Sequence, residues 1–442
     1  MALAVALATV WTLGYGASSS SADPSRKTPA AIDQTGVLEA VRSGQRVGPK
    51  LLQPPPNDEL GLDIGIEDRD GRSMDALHRA LQRAAAGEGQ ARLVFYGASH
   101  VASDLFTGYI RRELQKRYGD AGHGFVVPVH PWRTYRHRDI NIESDGDRWE
   151  TQRIRVGDSK VERLGLAGIT MVSKRPGSFG AVYTMEQGEY GRTASLFELY
   201  YGKHPRGGDM DILIDGRKVR RISTRAAKQS TGYATFRVPD APHRFEIRTL
   251  SKRPIRLFGL VVERDQPGVV VDTLGINGSR ARYELLWEDQ LYQEHLRRRK
   301  PDLVVLAYGT NESGDTSPIE DYERDLRAVV KRMRDTVPNA SCLLIGPSDR
   351  PKQVEERVFE DRPRTAQLID VQYRVALDNG CGFFDLVAFQ GGPLSMVQWA
   401  ANDPPYASQD HVHYTRLGYQ RLGEVLLSAL LEGMPDSDSA DK

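Results

Sequence analysis

The sequence predicts an α/β chain in which a doubly wound parallel sheet is interrupted, after its first strand and helix, by an antiparallel β-sandwich. Three observations predict it. Short apolar runs near residues 92, 270, 303, 342 and 383 alternate with stretches of helical periodicity. Between about residues 139 and 270 the pattern changes to brief alternating runs separated by Gly, Pro and Asp. Two of the apolar runs stop abruptly at turns that open on a glycine, Gly97–His100 and Gly309–Glu312, as strands do where they open into a crevice.

Met1 to Ala17 is apolar, carries no charged side chain and is followed by Ser, Ala and Asp. It is short for a membrane span and reads as a secretory signal over residues 1–22, with a retained anchor as the variant. Residues 23–72 read as a linker, with Pro54, Pro55 and Pro56 in a row and one short helix near Leu38–Arg42. From Ser73, Met74, Leu77, Ala80 and Leu81 recur at helical spacing until Gly87 and Gly89. Arg92–Tyr96 is a buried strand, and Leu105, Tyr109, Ile110 and Leu114 form the helix after it, so residues 73–138 open a βαβ unit. In 139–268 the runs Ala181–Tyr183, Leu196–Tyr201, Asp211–Ile214, Tyr233–Val238, Phe245–Arg248 and Leu257–Val262 give the sandwich. The α/β pattern resumes over 269–433, with strands at 269–274, 301–308, 341–345 and 383–386 and helices at 279–299, 319–336, 364–379 and 415–431. Residues 434–442 are a polar tail, and no internal repeat is visible.

Composition removes several function classes. Sixty Lys and Arg balance 59 Asp and Glu over 442 residues, which excludes a globally basic nucleic-acid binder. With 27% charged residues the chain is no multi-span membrane protein, and membrane contact is expected only through an N-terminal anchor. Between 151 and 270, 22 basic residues face 12 acidic ones; this reads as a solvated surface ahead of an anionic-polymer site. Two cysteines make neither a disulfide framework nor a four-thiolate zinc site. Cys342 and Cys381 begin successive strands and are expected as buried thiols, with a disulfide as the alternative.

Functional groups of an open α/β sheet gather at the carboxyl ends of its strands. Ser99 follows the first strand on a sharp turn, and a serine hydroxyl needs a base to become a nucleophile. His413 supplies one, three residues after Asp410, whose carboxylate can orient the imidazole. Acyl transfer also needs donors for an oxyanion, and the Ser99 N–H, the Gly278 N–H and the Asn311 amide are candidates. Singly, each has a plain reading as a helix cap, a turn or a loop residue. Their arrival in order at the strand ends of one sheet favours the chemical reading.

The blocks Gly97-Ala98-Ser99-His100, Gly278 within GINGSR, Gly309-Thr310-Asn311-Glu312 and Asp410 to His413 resemble those of the SGNH, or GDSL-like, hydrolases. The resemblance covers roughly residues 73–138 and 269–431. It implies a flavodoxin-like sheet and a serine esterase or acyltransferase with Ser99 as nucleophile, His413 as base, Asp410 as acid and Ser99, Gly278 and Asn311 as oxyanion donors. Ala98 and Glu312 depart from the family's usual Asp at both places. The contexts YGTNE and FFDLVAFQGGPLSMVQW look like an exported bacterial subgroup that includes peptidoglycan O-acetylesterases, whose β-sandwich resembles a carbohydrate-binding module.

The expectation is therefore an exported, periplasmic or extracellular esterase without a cofactor, removing O-acyl, chiefly O-acetyl, groups from a carbohydrate or peptidoglycan. The alternatives are an O-acetyltransferase using the same residues and a catalytically impaired carbohydrate-binding protein. His100 and Trp132 (with Tyr135 beside it) are read as lining the substrate site, and Trp287 and Trp399 as packing residues. His411 is a rival base. His123, His130, His137, Asp139 and Asp145 are spaced too irregularly for a metal centre, and none is expected.

Overall fold

The computed structural model describes residues 60–434. The signal-like segment, the helix near Leu38–Arg42 and nearly all of the polar tail lie outside the described residues.

The five apolar runs are the strands β1 (Gln90–Gly97), β2 (Gly268–Gly275), β3 (Leu303–Ala307), β4 (Ser341–Ile345) and β5 (Gly382–Phe384). They form one parallel sheet in the order β2-β1-β3-β4-β5. That is the flavodoxin-like order, with its switch point between β1 and β3. Both faces of the sheet are covered, which is why the strands read as continuous apolar runs. Leu93, Phe95, Val305 and Leu343 point into one core, whereas Val94, Tyr96, Val304 and Leu344 point into the other.

Helices cover each face. The first core receives α1 (Asp75–Ala85), α2 (Phe106–Tyr118) and α6 (Arg416–Leu431) through Leu81, Ile110 and Leu426. The second receives α3 (Asp289–Arg299), α4 (Ile319–Thr336) and α5 (Pro363–Asp378) through Leu296, Val330 and Leu368. α5 opens on Pro363, whose missing N–H costs nothing in a first helical turn. The Thr415 hydroxyl caps α6 by accepting the Gly418 N–H.

Each expected antiparallel run is a strand. One sheet runs Ser230–Ala241, Ala194–Lys203, Ile255–Glu263, Thr170–Ser173, Glu150–Gln152; the other runs Asn141–Ser144, Phe179–Tyr183, Arg244–Thr249, Asp209–Ile214, Arg217–Ser223. Their apolar side chains, among them Leu199, Phe245 and Leu260, share the second core of the parallel sheet. Gly122–Val126, a stretch too short and glycine-rich to read as a strand, pairs with Ile255–Glu263 as well. Antiparallel pairing thus recruits chain from before residue 139.

A buried ion cluster joins the two kinds of sheet. At the end of α3, Arg299 grips Asp272 of β2 through two bonds of 2.7 and 2.8 Å and reaches Glu263 at 2.8 Å. Arg92 of β1 holds the same Glu263 at 2.6 and 2.9 Å. Burial would raise the Glu263 carboxyl, but the two guanidinium groups outweigh it and hold it at about 2.

Two sequence expectations need correction, and one element was not foreseen. The helix expected over 279–299 is broken into a 3₁₀ segment, Ala281–Leu286, and α3. The break lies where Leu286 O accepts the Glu162 N–H and Glu288 N–H donates to Glu162 O, so the backbone there pairs with another segment. The β4–α5 connection contains a small hairpin, Lys352–Glu355 with Val358–Glu360. Finally, Cys342 and Cys381 are joined in a disulfide, not left as thiols. Leu343 is in register with Gly382, so the preceding cysteines face each other with Cα atoms 4.6 Å apart. Among the described residues no helix is long and apolar enough to cross a membrane.

Candidate active site

The strand ends bring the candidate residues to one level. Gly97 of β1 is in register with Gly275 of β2 on one side and Ala307 of β3 on the other. The chain therefore leaves all three strands at the same height, towards Ser99, Gly278 and Asn311. Gly275 lets the turn after β1 pack against β2, because a Cβ there would lie 2.1 Å from the Ala102 nitrogen. Ser99 opens a short helical turn, Ser99–Ala102.

His413 comes from the loop before α6. Its Nε2 lies 2.9 Å from Ser99 Oγ, and its Nδ1 lies 2.7 Å from Asp410 Oδ2. The other Asp410 oxygen accepts the backbone N–H groups of Val412 and His413, both at 3.0 Å. One carboxylate thus shapes the turn and orients the ring it carries. Partial burial would raise the Asp410 carboxyl, but the hydrogen bonds from His413 and Val412 prevail and hold it at about 2. The pair is open to solvent, with side chains 40% and 50% exposed for His413 and Asp410.

Opposite lie the candidate oxyanion donors. Gly278 sits in the turn Ile276–Ser279, closed by the Ser279 N–H on Ile276 O at 3.0 Å. Its φ of +77° is what demands glycine; no atom crowds the position of a Cβ. Asn311 donates one amide hydrogen to Ser279 O at 2.9 Å, which fixes the amide and leaves its second hydrogen for a ligand. Glu312 is buried between the same two loops and accepts N–H groups from both. Burial outweighs those hydrogen bonds and raises its carboxyl.

Two positions read as substrate-lining are engaged otherwise. His100 is only 7% exposed, and its two nitrogens meet Tyr419 Oη at 2.9 Å and Ser348 Oγ at 3.1 Å. It forms the floor beneath His413, whose ring lies 5.7 Å away. Burial, seconded by the charge of His413, pushes it down to about 3. Trp132 packs on the core with Tyr135 edge-on, and Arg153 lies over its ring 5.2 Å from the centroid. That ring face is taken by a guanidinium and not offered to a sugar. His411 has a φ of +52° and packs on Phe359 of the hairpin, 4.6 Å between rings, whereas Asp410 bonds to His413.

The set His123, His130, His137, Asp139 and Asp145 does not assemble. His130 pairs with Ser144, Asp139 with Arg112, and Asp145 with Trp149. His123 and His137 instead approach Asp104. That carboxylate is already occupied by Arg111, Thr107, Thr273 and the Arg138 N–H. Burial would raise the Asp104 carboxyl, but Arg111 holds it well below the usual range. This is an ion-pair hub, and its donors leave little room for a cation.

The sequence reading missed Ser348 and Tyr419, which hold His100, Thr310, which bonds Ser348, and Arg153 and Phe359, which flank the loops. Ser348 follows β4, a strand end like the others, and its position alone was a signal.

Comparisons with known proteins bear on the fold and the class of reaction. Residues 250–421 match the model of the GDSL-like Lipase/Acylhydrolase family, a span that holds Gly278, Asn311, Asp410 and His413. No curated protein matches the chain. The chain is similar to the solved structure of a peptidoglycan O-acetylesterase, at 25% identity and a TM-score of 0.69, over 83% of this chain and 98% of that one. A much looser likeness, at 14% identity and a TM-score of 0.27, covers 65% of this chain and 98% of a family two carbohydrate esterase from Cellvibrio japonicus. The family match over residues 250–421 and the first of these likenesses support an esterase built on a parallel α/β sheet, similar to the GDSL-like acylhydrolases.

Proposed function

We propose that this esterase removes O-acetyl groups from a carbohydrate, with cell-wall glycan as the foremost substrate, using Ser99, His413 and Asp410. The observation that carries the reading is the unbroken path Ser99 Oγ, His413 Nε2, His413 Nδ1, Asp410 Oδ2, with contacts of 2.9 and 2.7 Å. His413 takes the Ser99 proton as Oγ attacks the ester carbonyl carbon. The oxyanion is met by the N–H groups of Ser99 and Gly278 and by the Asn311 amide. His413 then gives the proton to the departing sugar oxygen. Water repeats the sequence on the acyl-serine, releasing acetate and returning the proton to Ser99. Ala98 in place of an acidic residue leaves the Ser99–His413 contact intact, which supports hydrolysis over an impaired site.

The antiparallel segment is read as a carbohydrate-binding-module-like sandwich inserted at 139–268 between the catalytic parts 73–138 and 269–433. Export to the periplasm or beyond is supported by the apolar run at residues 1–17 and by the Cys342–Cys381 disulfide, which fits an oxidising compartment. The test is acetate release from O-acetylated peptidoglycan, acetylated xylan and simple acetate esters by the native chain and by Ser99→Ala. Release from the glycans that disappears in Ser99→Ala is expected; turnover of simple esters alone would overturn the carbohydrate reading.

A further inference from the structure

We propose that Arg153, seated on Trp132 beside the loop that carries Gly278, is an anion subsite for a carboxylate borne by the sugar whose ester is cleaved. The proposal rests on the esterase reading above and adds the charge of the substrate to it. Arg153 belongs to the segment that follows the strand Glu150–Gln152, yet its Nη1 donates to Asn277 O at 3.2 Å. Asn277 O and the Gly278 N–H belong to one peptide group, so the guanidinium is held against the loop that carries a candidate oxyanion donor.

Its remaining N–H groups have no anionic partner. Among the described residues no carboxylate pairs with Arg153; its contacts are a carbonyl oxygen and the indole face. The side chain is half-buried, and burial, followed by the nearby Arg155 charge, depresses it. A guanidinium that is partly desolvated and unneutralised is a costly arrangement unless a ligand completes it. Stacking on Trp132 holds the planar fork flat and pre-organised, the arrangement suited to a carboxylate. A cleft of about 580 Å³ opens beside it, lined by Gln152, Arg153, Arg155, Ser159 and Lys160 with Asp158 and two glutamates. Asp158 is spent on the Arg155 N–H at 2.7 Å. Arg153 is the residue of this cleft that also touches the Gly278 loop, through Asn277 O, so it is where the carboxylate of a sugar acid is placed. A neutral sugar would leave the charge unanswered.

The test uses the full chain and two readouts. Binding of N-acetylmuramic acid, which carries a lactyl carboxylate, of galacturonic acid, which carries a ring carboxylate, and of neutral N-acetylglucosamine is measured by calorimetry. The same preparations are assayed for acetate release from the O-acetylated forms of the acidic and neutral sugars. One of the acids should bind about ten-fold tighter than the neutral sugar, and added salt should narrow the gap. Which acid does so identifies the source of the carboxylate. Arg153→Gln should abolish the preference, and Arg153→Lys should restore part of it. In kinetics the acidic-to-neutral ratio of kcat/KM should fall about ten-fold in Arg153→Gln, carried by KM. An acid preference that is absent from the native chain, or equal in Arg153→Gln, would overturn the subsite. A native chain that binds the acid through Arg153 but releases no acetate would overturn the esterase reading and leave the subsite standing.

Discussion

The carboxylate of Glu312 holds the backbone N–H of Ala281 at 2.8 Å, tying the loop after β3 to the loop after β2. Its other oxygen takes the Gly309 N–H at 3.1 Å. Those loops carry Asn311 and Gly278, so Glu312 sets the spacing of two candidate oxyanion donors. Glu312→Ala should lower kcat by about 10- to 100-fold with little change in KM, because the donors act on the transition state. Steady-state kinetics on an acetate ester, with circular dichroism to show an intact fold, measures this. A loss carried by KM would contradict the positioning role.

Ser99→Ala and His413→Ala should each reduce kcat by roughly 10⁴-fold or more, and the double variant should lose no more than either alone. Asp410→Asn should cost less than His413→Ala, because Asp410 works through the ring it orients and is half exposed. Release of p-nitrophenol from its acetate ester reads all four. Additive losses would mean the residues act separately.

Removing the Asp104 charge should destabilise the fold. Asp104→Asn leaves the buried Arg111 short of its partner, a loss of about 3–5 kcal/mol for a broken buried pair. Because the native carboxyl is depressed below its ordinary 3.8, its stabilising contribution is present above that pH and is lost as pH falls further. Urea midpoints of the native chain and Asp104→Asn should therefore be well separated at neutral pH and converge at strongly acid pH.

Asp349 carries the opposite sign. It is buried after β4, and burial pushes its carboxyl up to about 7 against the Met396 N–H it accepts. The folded state favours the protonated form, so this group's contribution is intact below 3.8 and declines as pH rises to about 7. Asp349→Asn should gain stability relative to the native chain at pH 8 compared with pH 4. Melting temperatures at the two pH values test it.

The Cys342–Cys381 bridge closes a loop between residues 39 apart. Reducing it, or making Cys342→Ser with Cys381→Ser, should cost about 2–4 kcal/mol by releasing the unfolded chain. The fall in urea midpoint upon adding a thiol reductant measures this, with no shift expected in the double variant.

The parallel sheet is legible in the sequence because each of its strands is a contiguous apolar run covered on both faces. Ser99, Gly278 and Asn311 stand out as candidates because they follow strand ends, and Asp410 with His413 because the pair sits in the loop before the last helix. What escapes is whatever depends on a partner far along the chain. Nothing in His100 announces that Tyr419 and Ser348 will occupy both its nitrogens. Arg153 lies in a polar stretch, and only folding brings it to Trp132 and Asn277. The 3₁₀ break at Leu286–Glu288 needs Glu162, and the hairpin at 352–360 is exposed and lacks the alternating apolar pattern. The cysteines are visible as neighbours, but the one-residue register that sets them face to face is not.

Arg299, Asp272, Glu263 and Arg92 span the boundary between the parallel strands and the antiparallel ones. Excising residues 139–268 would strip Glu263 from two cations and remove much of the apolar packing from the core that holds Val94 and Tyr96. The β segment therefore cannot be clipped off as a detachable accessory. Protein engineers who want the hydrolase without its companion will need to rebuild that boundary, beginning with Arg92 and Arg299.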